Sequence, residues 1–137
     1  MDGIDEVMKT KTVKVSAAVI VSEGHVLAAQ RTSGEYAGYW EFPGGKQEEG
    51  ESARQALKRE INEELGVLIS TGRQICTVEY DYETFHLSMD CFICTVMEGR
   101  PEPKEGQEIK WILPDELPEV EWLPADMLII EKVRKVI

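Results

Sequence analysis

The sequence predicts a mixed α/β fold: a mixed β-sheet covered by helices on both faces. Three observations predict it. Short runs rich in Val, Ile, Ala and aromatic residues recur between turn residues from Val13 to Ile112. A capped helix signature interrupts them near Ser52, and an amphipathic segment closes the chain. At 137 residues and 42% apolar composition, the chain suits one domain spanning residues 1–137, with a core that needs no disulfides.

In chain order, residues 13–22 and 25–30 read as two strands joined at Glu23-Gly24, a hairpin. Residues 39–42 read as a short third strand, stopped by Pro43-Gly44-Gly45. A helix is expected over residues 52–65, because Ser52 and Gln55 have capping-box spacing, the interior is rich in good helix formers and Gly66 stands where a C-terminal cap belongs. Residues 74–82 and 86–97 follow as strands about a short turn, then 110–112 as another. Residues 124–136 read as one amphipathic helix; 98–107 and 114–121, rich in Pro, Gly and Glu, read as loops with at most a helical turn.

Composition excludes several classes. The polar start lacks the apolar core of a signal peptide and no run reaches membrane-span length, so a cytoplasmic protein without a membrane partner is expected. Three sparse cysteines argue against a disulfide framework. Cys91 and Cys94 have CxxC spacing, but within a strand residues three apart point to opposite faces, so they read as core thiols. A formal charge of −11 disfavours long nucleic acid, whose binding depends on Lys and Arg. A small anionic substrate is compatible with it if cations bridge phosphate to carboxylate. His25 and His86 lack metal-ligand spacing and receive no role, Trp122 and Leu123 are expected in the core, and no feature assigns an oligomeric state.

The chemistry lies in the helix. Glu60, Glu63 and Glu64 stand at i, i+3 and i+4 and share an arc of roughly 100°. Ala53, Ala56 and Leu57 overlap the arc of Glu60 and Glu64, so the carboxylates lie toward the inward side. Like charges at i,i+4 oppose helix formation by about 0.2–0.5 kcal/mol, and desolvating unpaired carboxylates costs more. Arg59 can pair with Glu63 but cannot neutralise the set; hard divalent cations can. Ahead of the helix, Pro43-Gly44-Gly45-Lys46 lets backbone approach a ligand closely and offers Lys46 to a phosphate, although Gly44-Gly45 alone would be a plain tight turn.

Gly45, Glu51, Arg59, Glu60, Ile61, Glu63, Glu64, Gly66 and Val67 together resemble the whole Nudix box, GX5EX7REUXEEXGU with U aliphatic, and no position departs from it. The resemblance implies the Nudix α/β/α sandwich and hydrolysis of a nucleoside diphosphate linked to another group. The flanks are similar to those of MutT-like nucleoside triphosphate pyrophosphohydrolases, in residues 37–46, in Arg31, in Lys104-Glu105-Gly106-Gln107 and in Pro124-Ala125-Asp126.

The same resemblance implies metal ligation by the Gly45 carbonyl, Glu60 and Glu64, with Glu63 an additional candidate. Glu105 is implied as a further ligand or as the base that orients water, and Arg59 as the organiser of the carboxylates, with Glu51 supporting. Arg31 and Lys46 are implied phosphate contacts. The expected ion is Mg2+, with Mn2+ a substitute, and the expected partner is a small nucleotide. MutT carries asparagine where this chain has Asp126, and Leu-Pro-Ala-Asp is closer to the CTP pyrophosphohydrolase branch. Asp126 is then either a base reader accepting from cytosine N4 or a helix-start carboxylate favoured by the dipole. Sanitising 8-oxo-dGTP hydrolysis and ADP-ribose or nucleotide-sugar hydrolysis are the alternatives.

Overall fold

A computed structural model describes residues 11–137; the polar leader before them lies outside the described residues. Strand β1 (Thr12–Ser22) turns tightly into β2 (His25–Gln30). Glu23 and Gly24 both take positive φ, 49° and 78°, as the mirror-image turns of two-residue hairpins require. Then come β3 (Trp40–Glu41), β4 (Gly44–Lys46), helix α1 (Ala53–Leu65), the long pair β5 (Leu68–Asp81) and β6 (His86–Glu98), and β7 (Ile109–Ile112). A 3-10 turn (Pro114–Glu119) leads to α2 (Pro124–Met127) and α3 (Ile130–Val136).

The described strands form one seven-stranded mixed sheet in the order β3-β2-β1-β6-β5, with β4 also paired to β1 and β7 to β2. β1 runs parallel to β6 and antiparallel to β2 and β4. Alternation along β1 divides two cores. Ala18 and Ile20 meet Leu57, Ile61 and Leu65 of α1 on one face, together with Phe92 and Cys94. Ala17 and Val19 pack on the other face with Cys91, Trp122, Ile129 and Val133, beneath the C-terminal helices. Cys91 and Cys94 are thereby split between faces, as strand alternation predicts. Trp122 is in the core, stacked on Phe42 at 4.6 Å with its indole N–H on the Leu117 carbonyl. Among the described residues no helix is long and apolar enough to cross a membrane.

Three elements differ from expectation. Gly44–Lys46, expected to stop a strand, forms β4 by pairing with Val15–Ala17. β5 starts at Leu68, its early half obscured by a register shift and polar residues. The expected final helix is two: Leu128 and Ile129 donate to carbonyls three residues back, Ala125 and Asp126, and this tighter turn separates α2 from α3 while burying Ile129 and Ile130.

Candidate active site

The α1 helix starts on the expected capping box: Ser52 Oγ accepts from Gln55 N at 3.1 Å and Gln55 Oε1 accepts from Ser52 N at 2.8 Å. It ends at Gly66 in the left-handed region, φ 68°. Its apolar stripe is fixed by Leu57, Ile61 and Leu65, so Glu60 and Glu64 flank the stripe and are half-buried, while Glu63 is exposed. Of the three carboxylates expected to converge, two turn toward the sheet and the third stands at the outer edge.

Arg59 organises this surface. Its Nε and Nη2 donate to the two oxygens of Glu51 at 2.7 and 2.9 Å, a bidentate pair. Nη1 donates to Glu60 Oε1 at 2.8 Å, Nη2 to the Lys46 carbonyl at 3.0 Å, and Glu63 Oε2 is 3.4 Å away. One guanidinium therefore ties α1 to the end of β4 and to the loop before the helix. Its hydrogen bonds hold the Glu51 carboxyl down at about 2.

The glycines of β4 make the approach between strand and helix. A Cβ on Gly44 would collide with the Ser16 carbonyl oxygen, and one on Gly45 with the carboxyl carbon of Glu60. The Gly45 backbone and the Glu60 carboxylate consequently lie against each other, which no other residue at position 45 allows without displacing Glu60.

Glu105 reaches the site because the last carbonyls of a helix need partners. Lys104 N–H donates to the Glu64 carbonyl at 2.9 Å and Glu102 N–H to that of Leu65 at 3.0 Å, docking the loop after β6 on the C-terminus of α1. Burial pushes the Glu64 carboxyl up to about 8, reinforced by the charges of Glu41, Glu105 and Glu60 and opposed by a hydrogen bond from the Gly44 N–H. A recess of about 190 Å³ lies between Arg31, Glu41, Glu64, Glu105 and Gln107.

A larger cavity of about 520 Å³ adjoins it, with Arg31, Glu41 and Glu64 lining both. Its floor is apolar, from Val13, Val15 and Ala17 of β1 and Leu87 and Met89 of β6, and Tyr36, Tyr82 and Phe85 contribute aromatic edges. Lys46 lines it and is exposed. Asp126 also lines it, buried, with Oδ2 accepting from Phe42 N–H at 2.8 Å. Burial pushes the Asp126 carboxyl up to about 8. Burial thus favours the neutral form of the Asp126 carboxyl, which can donate as well as accept.

The sequence pattern by itself does not mark Glu41 as a site residue. Its carboxylate is 3.4 Å from Arg31 Nη1, burial raises its pKa, and it lines both hollows. The available signal was a lone charge between Trp40 and Phe42, where strand alternation sends it away from the face those aromatics pack on. His86 sits between Asp81 and Glu79, 2.6 Å from each, away from this constellation.

Among the described residues no three His, Cys, Asp or Glu side chains already form a group able to hold an ion. Glu60 is turned onto Arg59, and Glu63 and Glu105 are exposed. The donor set nonetheless suits a hard divalent cation: only oxygen ligands are offered, Gly45 lacks the Cβ that would fill the space beside Glu60, and Glu64 is half-buried beside further carboxylates.

A family model described as NUDIX domain matches residues 16–132. The chain is 34% identical over 122 residues to a CTP pyrophosphohydrolase of Escherichia coli (strain K12), covering 88% of this chain and 90% of that protein. It is 33% identical over 128 residues to an 8-oxo-dGTP diphosphatase of Haemophilus influenzae, covering 92% and 94%. The crystal structure of a MutT NUDIX hydrolase from Burkholderia pseudomallei superposes with a TM-score of 0.83 at 28% identity, covering 90% of this chain and 98% of that one. With an intact box on α1 and the sandwich around it, the chain belongs to the Nudix family and is a MutT-like pyrophosphohydrolase.

Proposed function

We propose that this single-domain enzyme hydrolyses a nucleoside triphosphate to the monophosphate and pyrophosphate, with a cytosine or modified-cytosine nucleotide as preferred substrate. The observation that carries the reading is the continuity of the 520 Å³ cavity from buried Asp126, beside an apolar floor suited to a base, to Glu64 and the recess that holds Glu105. A flat base lies along the apolar floor, and its polar edge meets Asp126. The phosphates extend toward Arg31 and Lys46, whose charges offset theirs in an otherwise acidic chain.

The Gly45 carbonyl and the carboxylates of Glu60, Glu64 and Glu105, with Glu63 in reserve, would hold divalent ions, Mg2+ in the first instance and Mn2+ as a substitute. Bound there, such ions neutralise phosphate oxygens and lower the pKa of a water. The protein's own contributions are positional. Arg59 keeps Glu60 and the Lys46 backbone in fixed relation, Glu41 holds Arg31 at the wall between the two hollows, and Glu105 is placed by its loop to orient the attacking water or to add a ligand. Attack of water at the β-phosphorus breaks its bond to the oxygen shared with the α-phosphate, so the nucleoside monophosphate departs and the water oxygen ends in pyrophosphate.

A second reading, 8-oxo-dGTP, is favoured by the relative from Haemophilus influenzae and by the raised Asp126 carboxyl, which in its neutral form offers a purine edge a donor as well as an acceptor. The discriminating experiment is hydrolysis of a panel of CTP, dCTP, 5-substituted dCTP, dGTP, 8-oxo-dGTP and ADP-ribose with Mg2+, with products separated. Monophosphate and pyrophosphate from cytosine nucleotides at the highest kcat/KM support the proposal; a higher value for 8-oxo-dGTP transfers it to the second reading, and nucleoside diphosphate with phosphate overturns the bond assignment.

A further inference from the structure

The irregularity in β5 gives two cysteines a pairing that their sequence spacing conceals. Gln74 stands opposite Phe92 and Cys76 opposite Cys91, so β5 advances two residues while β6 advances one. The extra residue, Ile75, is a β-bulge, and it switches the face of every later β5 side chain relative to β6. In an unbulged ladder Cys76 would oppose Asp90 and its thiol would lie on the other side of the sheet from Cys91. With the bulge, Cys76 stands directly opposite Cys91 and packs against the core that contains it.

Directly opposed residues of an antiparallel pair have Cα atoms about 4.5 or 5.5 Å apart, and both spacings fall within the roughly 4.4–6.8 Å that a disulfide spans. Access is asymmetric: Cys76 is half-buried, whereas Cys91 is fully enclosed. Burial, then the neighbouring Cys76, pushes the Cys91 thiol well above its ordinary range, so Cys76 is the sulfur an oxidant meets first.

We propose that Cys76 and Cys91 are an oxidative modification site, forming an intramolecular disulfide when a peroxide oxidises Cys76. The Cys76 sulfur attacks one peroxide oxygen, the O–O bond breaks and water or alcohol leaves, giving a sulfenic acid. The Cys91 sulfur then displaces its hydroxyl, which departs as water with the Cys91 proton. Two thiols and one peroxide yield one disulfide and, for hydrogen peroxide, two waters. The new bond closes the segment containing Tyr82 and Phe85, which line the large cavity.

The test treats the reduced, purified chain with hydrogen peroxide and follows intact mass, peptide linkage and thermal melting. Cleavage after Glu79 or Glu83 separates the two cysteines. The expected result is a monomer lighter by two hydrogen atoms, with linked peptides containing Cys76 and Cys91, reversed by dithiothreitol. The species persists in Cys94→Ala, is absent in Cys76→Ala, and melts several degrees above the reduced form. Sulfinic acid accumulating on Cys76 without a link, a Cys76 bond between two chains, or a link that disappears in Cys94→Ala would each overturn the proposal.

Discussion

The Asp126 carboxylate accepts a hydrogen bond from the Phe42 backbone N–H at 2.8 Å, joining the first turn of the C-terminal helical segment to the chain just after β3. That contact buries a titratable group against the cavity floor, and two predictions rest on it.

The first concerns stability. The folded-state pKa of Asp126, about 8, is above the ordinary carboxyl value, so between pH 4 and 8 the native state holds a proton that the unfolded chain has released. Stability from this group is full below the unfolded value and is lost as pH rises through about 8. Asp126→Asn keeps an acceptor for Phe42 but cannot ionise, so without metal its melting temperature should match wild type near pH 5 and exceed it near pH 9. Glu64, raised in the same direction, contributes equally to both proteins. Parallel melting curves across this range would show that Asp126 remains ionised throughout.

The second concerns the base. Losing a buried hydrogen bond costs about 0.5–1.5 kcal/mol for a neutral partner and about 1.5–3 kcal/mol for a charged one, so roughly a few-fold to a hundredfold in kcat/KM. Asp126→Ala should lower kcat/KM by that factor for the favoured nucleotide and by less for a poor one. Equal losses on every nucleotide would make Asp126 a support for α2 and not a reader of the base.

Gly45→Ala sets a Cβ against the Glu60 carboxyl carbon. The flexible end of Glu60 can move away, so the fold should survive, but a displacement on the order of 1 Å at a reacting centre costs about a hundredfold in rate. Turnover should fall by that order with an unchanged circular dichroism spectrum. Near-normal turnover would separate Glu60 from the chemistry.

These positions were not equally legible in the sequence. The carboxylate helix was, because Ser52, Gln55 and Gly66 encode its ends and the Leu57, Ile61, Leu65 stripe fixes its rotation. β4 was not, because Gly44 and Gly45 carry no side-chain pattern, and the strand exists only through its pairing with β1. The early half of β5 is hidden by the register shifts at Leu68/Ile69 and between Thr71 and Gln74, and by the polar residues there, which break the alternation a strand is recognised by. The break between α2 and α3 depends on where the core lies, which the amphipathic pattern of residues 124–136 does not encode. Glu41 is not legible for a related reason: its relationship to Glu64 joins separate elements, and helical spacing says nothing about it.

Glu105 depends on the docking of its loop onto α1 through the Lys104 N–H and the Glu64 carbonyl. Glu105→Gln preserves that docking while removing the charge, so kcat should fall about ten- to a hundredfold, as for other groups supporting a metal site, with little change in melting temperature. Full activity would return Glu105 to an ordinary exposed loop residue.

The most direct measurement of the central claim, that α1 is a metal-dependent catalytic scaffold, is pyrophosphate release by wild type and Glu64→Gln, each in chelator and in excess Mg2+. Glu64→Gln keeps size and helix propensity and removes the charge of the half-buried carboxylate. Wild type should be inert in chelator and active with Mg2+, whereas Glu64→Gln should fold normally and stay at least about a hundredfold slower with Mg2+ present. Undiminished turnover in chelator, or a Glu64→Gln rate equal to wild type, would contradict the account.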